Sequence, residues 1–182
     1  ASFSGWSLFG QIAYIGSTSG LNMIINIFCG VLLNAATGIA QQVNSAIYNF
    51  VSNFQTAFNP QLIQTYSSGN LEVHRVLLSR ASRISYYLLY IISLPVLINT
   101  SYILHLWLKE VPDHSVTFTQ LIITFSLIEA LGAPLWMSMQ ATGKIKTYQI
   151  IVSSINALNI PIAFVCLYQG LAVESIFYAK IL

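Results

Sequence analysis

The first 71 residues of the chain contain no Asp, Glu, Lys or Arg, and the first formal charge is Glu72. A water-soluble fold keeps its surface hydrated with charged side chains, and a stretch this long without any cannot do so. Over all 182 residues only 7% are charged and 55% are hydrophobic, whereas an ordinary soluble domain carries about 25% charged residues. A soluble enzyme and a disordered tail are excluded. The net charge of +2 is too small and too scattered to track a phosphate backbone, so no nucleic-acid partner is expected. The partner that fits this composition is a lipid bilayer.

A bilayer core of about 30 Å needs about 20 mostly apolar helical residues per crossing. On that ruler the chain holds five full spans and a sixth that runs out of sequence: 6–33, 34–65, 83–104, 116–141, 145–168 and 173–182. A β-barrel would instead show alternating strands of about 10 residues with frequent turns. The expected class is all-α, polytopic and multi-pass. The chain opens on Ala-Ser-Phe-Ser and ends in an apolar run, so it reads as a piece of a larger membrane protein.

Basic residues in short connections set orientation. Arg75, Arg80 and Arg83 follow the second span, and Lys144 and Lys146 follow the fourth, on the same side. Only Lys109 lies in the opposite loop, beside Glu110 and Asp113. The Arg and Lys junctions are therefore expected to be cytoplasmic and the Trp107–His114 loop external. Trp107, Tyr86, Tyr87 and Trp136 fit interfacial belts.

The second span carries the most information. It has no charge but holds ten amides, among them Gln41, Gln42, Asn44, Asn49, Asn53 and Gln55. Gln42, Asn49 and Asn53 share one helical face, and Gln41, Asn44, Tyr48, Gln55 and Asn59 spread over a neighbouring one. Amides of this number serve either as interhelical hydrogen bonds, worth about 0.6 kcal/mol each on average, or as a hydrated, uncharged lining suited to hydroxyl-rich ligands. In the first span Asn22 and Asn26 stack one turn apart, and Gly16 and Gly20 flank Ser17, Thr18 and Ser19, which allows close packing or a bend. Pro60, Pro95, Pro134 and Pro161 each remove one helical hydrogen bond and free a carbonyl that polar neighbours must satisfy.

Glu129 is the one acid deep in a complete span, a candidate coupling or proton site, or a neutral acid bonded to a neighbouring helix. His74, His105 and His114 fall in loops or at span ends with no metal-ligand spacing and read as solvated. Cys29 and Cys166 read as small buried hydrophobes. No nucleophile, acid pair or phosphate-cradling glycine loop is apparent, so the chain does not read as an enzyme, and no metal or cofactor is called for.

Five stretches together resemble one family. They are Gly20–Asn26 (GLNMIIN), Asn34–Val43 (NAATGIAQQV), Asn53–Gln61 (NFQTAFNPQ), Leu106–Pro112 (LWLKEVP) and Gln140–Gln149 (QATGKIKTYQ). The chain is similar to the multidrug/oligosaccharidyl-lipid/polysaccharide (MATE-like) exporter superfamily, nearest to its Wzx-like oligosaccharide flippases of the Bacteroidales type. The resemblance implies two six-helix lobes around a central cavity, with residues 1–182 matching the second, C-terminal lobe and the N-terminal lobe lying outside this chain. It implies a bacterial inner membrane and flipping of a polyprenyl-diphosphate-linked oligosaccharide, an O-antigen or capsule repeat unit, to the outer leaflet by alternating access. Expected path residues are Asn22, Asn26, Gln41, Gln42, Asn49, Asn53 and Gln55. Arg75, Arg80, Arg83, Lys144 and Lys146 are the expected phosphate contacts at the cytoplasmic rim. The competing expectation is a proton- or sodium-coupled multidrug or metabolite antiporter that uses Glu129. A membrane-embedded transferase on polyprenyl carriers fits less well, because the cytoplasmic loops offer only Glu72 and His74.

Overall fold

The computed structural model describes residues 2–143, 145–170 and 173–181, with side chains for 5–143, 145–170 and 173–178. The described secondary structure is helical: α1 (Ser2–Ser67), α2 (Leu71–Ile98), α3 (Thr100–Trp107), α4 (Ser115–Ala141), α5 (Lys146–Tyr168) and α6 (Glu174–Ile181). Among the described residues, four of these helices are long and apolar enough to cross a membrane. The outer surface agrees, since Val31, Leu32, Ile98 and Leu106 are 73–77% exposed. Such a surface is at rest in hydrocarbon, not in water.

At 66 residues α1 would be about 100 Å long if straight, over three times a bilayer core. It is broken at Gly30, whose φ of 80° and ψ of 175° lie outside the helical region and in a region open essentially only to glycine. Residues on either side of the break then meet. Tyr14 and Thr18 line the same cavity as Gln41, Asn44 and Ser45, although a straight helix would hold Tyr14 and Asn44 about 45 Å apart. The helix therefore doubles back into two antiparallel arms, 2–29 and 31–67. The sequence boundary at 33/34 lies a few residues beyond the actual turn. Nothing in the composition around Gly30 marks a loop, because one residue makes the reversal.

The second connection is also shorter than the sequence suggests. Gly69, with φ of 74°, ends the second arm, and its N–H donates to the Tyr66 carbonyl. Asn70 then caps α2 by accepting from the Val73 N–H at 3.3 Å, with Glu72 in the first turn where the helix dipole favours it. Arg75, Arg80 and Arg83 consequently sit on the exposed side of a helix, not in a loop. The expected span 83–104 is the inner part of a longer rod, α2 followed by α3, interrupted at Asn99. There the Asn99 backbone N–H and Nδ2 both donate to the Pro95 carbonyl, and Thr100 Oγ1 donates to that of Val96.

Packing follows the hairpin. The first arm runs alongside α5 in the same direction: Ser17 Oγ donates to the Asn156 carbonyl at 2.7 Å, and Phe28 meets Phe164 edge-on. The second arm runs alongside α4, with Ala36 and Ala40 against Phe118. Further along, Ile47 and Val51 pack with Leu89, Ile123, Leu127 and Ala130, which brings in α2. α6 bridges the two groups, as Ile176 packs with Ile25, Ala163 and Leu167, while Phe177 packs on Phe118. Much of the buried polar surface is Ser and Thr at these seams. Thr37, Thr100 and Thr119 return their hydroxyl protons to carbonyls four residues back, which leaves compact surfaces for close helix approach.

The start of α1, the 67–71 turn, the end of α4 and the start of α5 share one end, the basic end, with Arg75 and Lys146 beside Glu72, while Arg80 and Arg83 lie about 14 and 18 Å along α2 from its start. Gly30, the 108–114 loop, the end of α5 and Glu174 at the start of α6 share the opposite end, where Lys109 lies beside Glu110 and Asp113. At the latter end His114 Nδ1 and Glu174 Oε1 stand 2.6 Å apart.

Candidate functional site

Between the two arms of α1, α4 and α6 lies a cavity of about 220 Å³. Tyr14, Thr18 and Asn22 reach it from the first arm, Thr37, Gln41, Asn44 and Ser45 from the second, and Ser126 and Glu129 from α4. Leu21, Ile25 and Phe125 supply apolar wall. Asn44 keeps its Oδ1 buried without a hydrogen-bond partner among the described residues. A buried amide oxygen in that state calls for a donor from the cavity itself. Glu129 stands 14 residues from the start of α4 and 12 from its end, about 20 Å from either and so near mid-depth.

A second cavity of about 420 Å³ adjoins the first through Tyr14, which lines both. Its walls are Ser7, Gly10, Gln11 and Ile15 of the first arm, Trp136 and Gln140 of α4, and Tyr148, Gln149, Val152 and Asn156 of α5. Trp136 and Tyr148 stack with ring centroids 5.0 Å apart at 26°. Gln149 is buried, and its Nε2 reaches Ser153 Oγ at 3.5 Å. Gly10 makes room for it, because a Cβ there would collide with the Gln149 carboxamide. Nearby, the Lys146 ammonium lies 5.3 Å from the centre of the Trp6 ring, a cation–π contact. The two cavities form one polar groove along the first arm, from the basic end to mid-depth. Among the described residues that line it, Glu129 is the one charged side chain.

The expected path residues divide. Asn22 and Gln41 line the mid-depth cavity. Gln55 is buried elsewhere, its Nε2 donating to the Ala130 carbonyl at 3.4 Å. Gln42, Asn49 and Asn53 do share a face, but it is exposed on the outside of the second arm, and Asn26 is exposed as well. Glu129 joins the cavity. Arg75, Arg80 and Arg83 are exposed on α2, Lys146 stands over Trp6, and Lys144 lies outside the described residues.

Two readings of the sequence need correction. His74 is not solvated: it is 5% exposed, with Nδ1 3.1 Å from Thr65 Oγ1 and Nε2 2.7 Å from Ser138 Oγ. It ties together the ends of the second arm, α2 and α4. His114 is likewise not merely solvated, since it pairs with Glu174 while remaining about half exposed. The sequence reading also missed Gln11, Tyr14, Gln140, Tyr148 and Gln149. A signal for part of this set exists: Gln11, Tyr14, Thr18 and Asn22 recur at steps of three and four along one face of the first arm.

Comparison of the chain with protein-family models, with curated proteins and with solved structures finds no match.

Proposed function

We propose that this chain is one lobe of a membrane transporter that carries a lipid-linked oligosaccharide from the cytoplasmic to the outer leaflet. The observation that carries the reading is the polar groove that joins the basic end of the bundle to mid-depth. Amides, hydroxyls and Tyr14 line it together with Glu129 and apolar wall, and the amides and hydroxyls both donate and accept and so suit sugar hydroxyls. A hydrated lining of this kind inside a helical membrane bundle is costly unless something polar uses it. The basic end is the cytoplasmic one under the positive-inside rule, so the groove opens where such a glycolipid is assembled. Lys146 then stands near the mouth, where a diphosphate would sit, with Arg75 at the same end of the bundle.

In this reading the exposed amide face of Gln42, Asn49 and Asn53 looks toward a second lobe across a shared path, and the two lobes rock to give alternating access. The membrane is the bacterial inner membrane. The process is transport, with no covalent step.

A second reading has its own support. Glu129 lines the mid-depth cavity beside Tyr14, Thr18 and Asn22, and an intramembrane carboxylate in polar surroundings is a natural proton or sodium site. That fits a cation-coupled antiporter for drugs or metabolites. Replacing Glu129 by Gln separates the two: the antiporter loses its response to an imposed proton or sodium gradient, while glycolipid flipping without coupling through Glu129 persists.

The experiment is deletion of the intact gene in its host, followed by lipid extraction. The flippase reading expects lipid-linked oligosaccharide stranded on the cytoplasmic leaflet and loss of surface polysaccharide. Unchanged glycolipid with altered sensitivity to cationic drugs would replace it with the antiporter.

A further inference from the structure

We infer that the cavity near the basic end is a carbohydrate-ring subsite, in which the Trp136–Tyr148 pair holds the apolar face of a pyranose and the carboxamides of Gln11, Gln140 and Gln149 take its hydroxyls. The inference rests on the transport reading for the class of cargo. The site stands on its own geometry.

Four features of the cavity point to this ligand. First, Trp136 and Tyr148 come from different helices and are stacked at 5.0 Å, so they present a fixed aromatic surface from the wall of the cavity. Large, rigid, amphipathic rings of this kind supply contact area at little entropic cost. Second, three glutamines line the cavity from three helices: Gln11 from the first arm and Gln140 from α4, both exposed, and buried Gln149 from α5. Each offers two donors and an acceptor, the complement of a ring of hydroxyls. Third, Gln149 is held in place. It is 7% exposed, and the bare backbone of Gly10 leaves space for its carboxamide that a Cβ would take. Its bond to Ser153, at 3.5 Å, is long and leaves most of its hydrogen-bonding capacity for another partner. Fourth, the cavity is about 420 Å³, within the range of about 300–1,000 Å³ usual for small-molecule sites.

The rival occupant of an aromatic wall is an organic cation. Such sites are strengthened by carboxylates, and none of the residues that line this cavity is acidic. Glu129 lies in the adjoining cavity, on the far side of Tyr14. A neutral, hydroxylated ring is the better fit to amides alone.

The test is equilibrium dialysis with the intact protein in lipid nanodiscs. One probe is the oligosaccharide released by mild acid from the host's own lipid-linked pool, which has the native sugars and no carrier. The other is choline. We expect the released oligosaccharide to bind and choline not to. Trp136→Leu and Gln149→Leu should each weaken glycan binding about tenfold, while Trp136→Phe, which keeps an aromatic face, stays within about threefold. Trp136→Phe also guards against loss through misfolding, and Gln140→Leu, at an exposed position, gives a variant that does not disturb the packed core. Glycan binding left unchanged by Trp136→Leu, Gln149→Leu and Gln140→Leu would overturn the subsite while leaving the transport reading intact. Trp136-dependent choline binding without glycan binding would overturn both. Binding of neither probe by the wild type would overturn the subsite, with the transport reading still judged by the gene deletion.

Discussion

Gln55 donates through Nε2 to the Ala130 carbonyl at 3.4 Å, and Ala130 is the residue four before Pro134. Proline has no N–H, so this carbonyl lost its helical partner when Pro134 entered α4. The side chain of one helix repairs the break in another. We predict that Gln55→Leu destabilises the protein by about 1–2 kcal/mol, through an orphaned buried carbonyl. Adding Pro134→Ala should recover part of that loss, because the new N–H serves Ala130. Thermal unfolding in detergent gives the double-mutant cycle, and additive effects would mean that the two sites are independent.

Gly30 turns α1 back on itself at φ 80° and ψ 175°. A Cβ at this position meets open space, so any cost of substitution is backbone strain, not a clash. Gly30→Ala should therefore lower stability by about 1–3 kcal/mol. Gly38→Ala, which also meets open space but has helical geometry, should be neutral or slightly stabilising. Equal effects of the two substitutions on thermal unfolding would remove the case for a glycine-specific hairpin.

Two histidines at opposite ends should behave differently. His74 is buried between Thr65 and Ser138, so His74→Phe orphans polar groups and should cost about 1–3 kcal/mol. His114 meets Glu174 with about half its side chain in solvent, so His114→Gln should cost at most about 1 kcal/mol. The same unfolding assay ranks them, and a larger loss for His114→Gln would contradict the packing described at the 67–74 turn.

The amides of the second arm make a third contrast. Gln42, Asn49 and Asn53 are exposed in this chain, so replacing all three by Leu should leave its folding and insertion unchanged. If that face looks onto the path, export is lost all the same. Surface polysaccharide measured alongside the amount of inserted protein decides it, and normal export by the triple variant would take those residues out of the path.

The helical class and the presence of several long apolar helices were legible because bilayer thickness imposes a length that composition alone reveals. What was not legible depended on tertiary contact. The reversal at Gly30 has no loop to mark it. The arginines at 75, 80 and 83 look like loop residues until Asn70 is seen to cap the helix that contains them. His74 lies among charged neighbours in sequence and is buried only because α4 brings Ser138 across it. The amide-rich face that periodicity singled out most clearly, Gln42 with Asn49 and Asn53, is the one left outside, while Gln41 and Asn44 beside it line the cavity. The second cavity brings together residues of three helices, and their meeting is a tertiary fact that spacing along any one helix does not contain.

The most direct measurement reconstitutes the intact protein into liposomes that carry lipid-linked oligosaccharide in both leaflets, then adds a glycan-cleaving enzyme outside. If the groove carries a glycolipid, the wild type brings the inner-leaflet pool within reach of the enzyme. A variant with Gln41→Leu and Asn44→Leu then leaves cleavage at the outer-leaflet share, as in protein-free liposomes. Cleavage confined to the outer-leaflet share with the wild type itself, under any imposed gradient, would contradict the account.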